Sequence, residues 1–196
     1  MSESWNQEAE QEEPISNDLF YWLRALTLSL VCMVLVFTFF GRLTRVSGSS
    51  MEHTLEDGQI LLVWSLGYQP QQGDIVVVNK TTVEHLNGDA IVKRVIATGG
   101  QTVDIDYGTN TVYVDGVALD ESYIKEPMYD VSLADPYRSQ THFEVPEGSI
   151  FVMGDNRNNS DDSRDSRIGF IDEGYILGEA IFSFFPFSHF GPIEAS

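Results

Sequence analysis

From Ala25 to Gly41 the chain runs 17 residues without a charged side chain. A helix of this kind has no polar stripe to turn to water, so it needs hydrocarbon or burial on every side. With Leu19–Leu23 ahead of it, the segment 19–41 can span roughly 30 Å of hydrocarbon. Arg24 can snorkel to the interface, and Tyr21 and Trp22 suit an aromatic belt. A cleaved signal peptide would carry a basic front end, a shorter apolar core and a small-residue cleavage site. Here the front end is acidic, with Glu3, Glu8, Glu10, Glu12 and Glu13. A buried helix of a soluble protein is the remaining alternative. The sequence predicts a retained transmembrane helix over 19–41, a disordered acidic tail over 1–18 and one further domain over 42–196.

Charge narrows the partners of the chain as a whole. The net charge is −19 and the pI is about 4.3. Such a surface repels phosphate, which argues against nucleic acid and against docking on anionic lipid. Membrane attachment therefore has to be hydrophobic. The lone cysteine, Cys32, lies inside the apolar run, so no disulfide can form within the chain.

After residue 46 the pattern changes to short β-branched and aromatic runs between turn signals. Strands are predicted over Ile60–Trp64, Ile75–Asn79, Ala90–Thr98, Thr102–Tyr107, Thr111–Val114 and Ile150–Met153. Turns are predicted at Gly108–Asn110 and Asp115–Gly116. Residues 120–142 read as a long loop. The expected fold class is mainly β, an antiparallel sheet domain preceded by the one helix.

Most familiar chemistries find no support. His53, His85, His142 and His189 are scattered, and no zinc motif forms around them. In the acidic run Gly154–Arg167, Arg157 occupies a calcium-ligand position and the required glycine is missing. No glycine-rich loop leads into Lys-Ser or Lys-Thr to hold a phosphate. No metal or cofactor is expected. Three segments remain: SGSSM, AIVKRVI and the GDN loop. In a strand, Ile91, Lys93 and Val95 share a face, so Lys93 would project among apolar side chains. Burial lowers a lysine pKa, and a neutral amine beside a serine can activate it. Spacing alone leaves open the alternative of an edge lysine with its amine in water.

These segments, SGSSMEHTL, GDIVVV with AIVKRVIA, and GDNRNNSDDSR, resemble in order the boxes of the bacterial type I signal peptidases. That family consists of membrane-anchored serine proteases with a Ser-Lys dyad. Gly154, Asp155, Asn156, Arg157, Ser160, Asp162, Ser163 and Arg164 all match the third box. The first box and the compact length resemble the Gram-positive branch, and eukaryotic-type relatives have histidine where Lys93 stands. The resemblance implies Ser50 as nucleophile and Lys93 as general base. It implies Ser160 as the hydroxyl orienting the amine, and Asp155, Asp162, Arg94 and Arg164 as a supporting charge network. Ser49 and Met51, flanking the nucleophile, are the implied substrate-binding positions.

The resemblance further implies that secretory preproteins are cut after small residues of the Ala-x-Ala type. It implies a cell-membrane location with a cytoplasmic N-terminus, an extracytoplasmic catalytic domain and possible partnership with the secretion translocon. Arg42 and Arg45 oppose that orientation by the positive-inside rule. Four departures stand out. His53 replaces a proline, which should loosen its turn. Gly48 replaces a serine that lends the Gram-negative branch an oxyanion donor. Thr98–Gly100 replaces a proline-bearing turn, and Ser183 and His189 stand where basic residues are common. Leu61, Leu62 and Trp64 are predicted to form a lipid-facing rim, whereas the alternation of Phe182 and Phe184 places them in the core. Two other readings were weighed, a self-cleaving regulator of the phage-repressor type and a non-catalytic anchored β module that binds exported proteins. The first would carry a DNA-binding domain. The second has no need for Ser50, Lys93 and Ser160 together.

Overall fold

The alternation of β-branched and polar residues after position 46 builds two antiparallel sheets. The computed structural model describes residues 15–39, 41–81, 89–129 and 135–194. The acidic tail before residue 15, His85 and the stretch 130–134 of the predicted loop lie outside the described residues. The chain divides into two units, residues 1–39 and 40–196. In the first, helix α1 runs Ile15–Phe39, and its window Asp18–Leu35 is long and apolar enough to cross a membrane by length and composition.

In the second unit an eight-stranded sheet has the order β1-β2-β11-β3-β4-β9-β10, with β12 paired to β11. Its strands are β1 (Gly41–Arg45), β2 (Ile60–Trp64), β3 (Ile75–Val78), β4 (Ile91–Thr98), β9 (Ser149–Met153), β10 (Ile171–Asp172), β11 (Ile176–Phe185) and β12 (Gly191–Pro192). A four-stranded sheet, β7-β6-β5-β8, is built from β5 (Thr102–Asp106), β6 (Thr111–Val114), β7 (Val117–Ala118) and β8 (His142–Glu144). The six predicted strands are all present within a residue at each end. The β6–β7 turn has Asp115 at φ 52° and Gly116 at φ 77°, the left-handed pair that a tight hairpin needs.

Three apolar clusters hold these layers. Val103, Val112 and Phe143 of the smaller sheet pack on Ala97, Phe151 and Met153 of the larger. Val46, Met51 and Leu55 bring the segment around Ser50 down onto Leu61, Val63, Ile75 and Val77. Val76, Val95, Ile150 and Ile168 fill a third cluster, with Ile91 packed against it. Strand β4 lies between β3 and β9, which removes the edge-lysine alternative for Lys93.

Two expectations need correction. Leu61 is fully buried, because the period of two in β2 turns Leu61 and Val63 inward. The other face of β2 carries Leu62 and the exposed Trp64. Leu62 aligns with Leu43 on β1 and with Phe182 on β11. Phe182 then stacks with Phe184 and Phe190 at centroid distances of 5.1 and 5.0 Å. Phe184 is therefore exposed and Phe182 only half-buried, on an outer face rather than in the core.

Candidate active site

Ser50 sits on a tight turn whose closure is local. Glu52 N–H donates to Ser49 O, and Thr54 and Leu55 N–H donate to Met51 O. His53, where a proline was noted as usual, has φ 92°, which a pyrrolidine ring cannot adopt. The turn is thus closed rather than loosened. Met51 is 1% exposed and is buried in the cluster beneath, so it anchors the turn. The tight turn sends this apolar side chain inward while Ser49 and Ser50 stay half-exposed.

Lys93 comes to this turn from the middle of β4. Its Nζ lies 2.7 Å from Ser50 Oγ and 3.1 Å from Val92 O. The residue is 3% exposed. Burial pushes the amine down to about 8, against the upward pull of Asp162, Asp161 and Asp155. Ser160 is also buried, and among the described residues its hydroxyl makes no well-formed hydrogen bond. It lies against Gly154, where an added Cβ would stand 2.3 Å from Ser160 Oγ and 2.5 Å from Ser50 O. Only glycine lets the Ser50 turn and the Ser160 loop approach this closely.

The four charges expected to form one network form two separate pairs. Arg94 Nε and Nη2 donate to Asp155 at 2.9 and 2.8 Å, and Thr54 Oγ1 donates to the same carboxylate at 2.5 Å. This pair ties β4, beside Lys93, to both the loop and the turn. Arg164 Nε and Nη2 donate to Asp162 at 2.8 Å each, and Gly154 N–H adds a third donor at 3.1 Å. Burial alone would raise the Asp162 pKa, but Arg164 and these donors hold it down at about 2. All four residues are at most 3% exposed, so each charge depends on its partner.

Several participants escaped the reading of the sequence. Asn156 donates from its backbone to Ser50 O at 3.0 Å and from Nδ2 to Ser49 O at 3.0 Å. Asn159 Nδ2 donates to Ser49 Oγ at 2.6 Å. Both asparagines lie inside the GDNRNNS run, which was their available signal. The segment before residue 130 closes over the loop. Arg157 pairs with Glu121 at 2.6 Å, and the Tyr123 ring lies 4.0 Å from the Arg94 guanidinium carbon. Nothing in the spacing of these polar residues announces such long-range pairs. Gly48, which carries no hydroxyl, has its N–H committed to Asp57 at 2.8 Å. The Ser50 N–H makes no hydrogen bond among the described residues.

Chemically, the arrangement holds a hydroxyl against a desolvated amine that gives up its proton more readily than a free lysine. Comparison with known proteins points the same way. The sequence pattern of the family "Signal peptidase, peptidase S26" matches residues 19–185. The chain is 39% identical over 175 residues to a probable signal peptidase I-1 of Synechocystis, covering 86% of this chain and 83% of that protein. It is 35% identical over 182 residues to signal peptidase I of Bacillus licheniformis, covering 88% and 91% of the two chains. It is 33% identical over 194 residues to signal peptidase IB of Staphylococcus aureus, covering 90% and 94%. With that match running from the apolar helix through β11, the chain belongs to the signal peptidase family, peptidase S26, and is a protease of that family.

Proposed function

We propose that the protein removes signal peptides from secretory preproteins, with Ser50 as nucleophile and Lys93 as general base. The observation that carries this reading is the 2.7 Å separation of Lys93 Nζ and Ser50 Oγ. The neutral amine takes the hydroxyl proton as Oγ attacks the scissile carbonyl. The resulting ammonium protonates the leaving amine of the mature protein, and a water then hydrolyses the ester on Ser50 with Lys93 again as base. The Ser50 N–H is a donor for the oxyanion. Ser160 orients the amine, and the Arg94–Asp155 and Arg164–Asp162 pairs hold β4 and its loop against the turn. Small residues at the −1 and −3 positions of the substrate fit an extended peptide whose alternate side chains face shallow pockets. Ser49 lines this approach.

Helix α1 is the membrane anchor, the acidic tail is cytoplasmic and the domain after it is extracytoplasmic, beside the translocon that delivers its substrates. Arg42 and Arg45 remain a charge argument against that orientation, and the resemblance outweighs it. The outer face of Leu43, Leu62, Trp64 and Phe182–Phe190 is the lipid-contacting rim. The test is cleavage of a preprotein in detergent, with the cut mapped by mass spectrometry. Wild type should cut after a small residue, and Ser50→Ala and Lys93→Ala should each stay folded and lose turnover. Near-normal turnover in Lys93→Ala would refute the dyad.

A further inference from the structure

Lys125 Nζ lies 2.6 Å from Glu52 Oε2, joining the segment that covers the site to the turn that carries Ser50. The same segment is fixed on its other side, because Lys125 N–H donates to Asp155 O at 3.0 Å. Asn158 adds bonds to Glu126, Pro127 and Tyr129. The backbone of Lys125 is therefore held in place, while the Lys125 and Glu52 side chains are 43% and 36% exposed. Glu52 Oε2 meets a second donor, Asn156 Nδ2, at 3.4 Å, and that same amide nitrogen donates to Ser49 O at 3.0 Å. One line of contacts thus runs Lys125, Glu52, Asn156, Ser49.

Its end point matters because the Ser49 carbonyl and the Ser50 N–H belong to one planar trans peptide and point in opposite directions. A donor held on the carbonyl fixes that plane. It also polarises the amide, which strengthens the N–H as a donor. We infer that Lys125 and Glu52 are positioning residues that set the Asn156 amide and, through it, the aim of the Ser50 N–H at the oxyanion. The inference rests on Ser50 being the nucleophile. Neither residue touches the substrate carbonyl. Their effect is on the transition state, where the N–H takes up developing charge, and little on ground-state binding.

The experiment uses the full chain in detergent with a peptide substrate, a peptide boronate that forms a tetrahedral adduct on the nucleophile, and the cleaved product peptide. Losing an oxyanion donor outright costs on the order of a hundredfold in rate, so a misaimed one should cost roughly tenfold. Glu52→Ala should lower kcat by about that factor, leave KM within about twofold, and weaken the boronate by the same factor as kcat. Product binding, the thermal midpoint and the pH at which activity rises should stay unchanged. Glu52→Gln, which keeps an acceptor for Asn156, should recover most of the loss. Lys125→Met should lose less than Glu52→Ala, and the double variant should be no worse than Glu52→Ala. A wild-type kcat in Glu52→Ala overturns the inference. So does a loss confined to KM or to thermal stability, or an additive double variant. Ser50→Ala run alongside separates the two readings. Retained cleavage there overturns the nucleophile and the relay together. Abolished cleavage there, with wild-type kcat in Glu52→Ala, overturns the relay alone.

Discussion

Lys93 Nζ stands 2.7 Å from Ser50 Oγ although the two residues come from unconnected elements, the centre of β4 and a turn before β2. No loop carries the lysine. Its placement comes from a strand hydrogen-bonded on both sides, and the serine's from a turn nailed down by the buried Met51. Reacting groups on such rigid supports hold their geometry without further ordering.

The pH dependence follows from burial of the amine. With Lys93 near 8, about a tenth of the protein carries the neutral base at pH 7. The rate constant kcat/KM should rise tenfold per pH unit below that value and level off above it. A stability change accompanies this. Between about 8 and 10.5 the unfolded lysine binds a proton that the folded one does not, so stability should rise with pH across that window. Stopped-time assays from pH 6 to roughly 10 check the first statement. A profile that begins to rise only near pH 10 would show an exposed lysine.

Arg94→Met should be strongly destabilising, because it leaves the fully buried Asp155 with only the Thr54 hydroxyl of the side-chain donors described above. Breaking one partner of a buried pair costs about 3–5 kcal/mol, and removing both costs much less. Urea midpoints should therefore fall sharply in Arg94→Met and recover in Arg94→Met/Asp155→Leu. Equal midpoints in the single and double variants would contradict the pairing.

Gly154→Ala should abolish cleavage, since the new Cβ collides with Ser160 Oγ and the Ser50 carbonyl at once. Gly191→Ala is the control, as nothing lies within 4 Å of a Cβ built there. Retained activity in Gly154→Ala would mean that the close approach of the two segments is dispensable.

The fragment from Phe40 to Ser196 should bind vesicles weakly through its outer face. The fragment begins at Phe40 so as to keep β1, which pairs with β2 along its whole length. Phe187, 82% exposed and packed edge-on against Phe185 at 6.1 Å, is the sharpest probe of that face. Flotation should be equal at low and high salt, because an apolar contact does not depend on charge. Phe187→Ser should reduce it. Salt-sensitive flotation, or none at all, would remove lipid contact from the account.

Much of the fold was legible because strands facing one core alternate visibly, as in Thr102–Asp106 and Thr111–Val114. Strand β1 was missed because Gly41–Arg45 directly follows the apolar run and reads as its flank. Strand β11, the longest, was missed because Gly178 interrupts its pattern. There an added Cβ would meet Trp64 O at 2.2 Å, so the glycine serves the approach of β11 to β2 rather than a break. At the site, Ser50, Lys93 and Ser160 were named through the resemblance of three ordered boxes, because spacing alone left Lys93 open. Which arginine pairs with which aspartate could not, since Arg94–Asp155 is fixed by β4–β9 packing 61 residues apart in the chain. The Tyr123 and Lys125 contacts were illegible for the same reason, as a polar loop shows no period that says what it covers.

In the proposed reaction Ser50 carries the acyl group and Lys93 puts it there. Acid quench during turnover of a preprotein, followed by peptide mapping, reads this directly. The expected product is an ester between the signal peptide's terminal carboxyl and Ser50, present in wild type and absent in Lys93→Ala. An adduct on Ser49 or Ser160, or an undiminished rate of Ser50 acylation in Lys93→Ala, would contradict it.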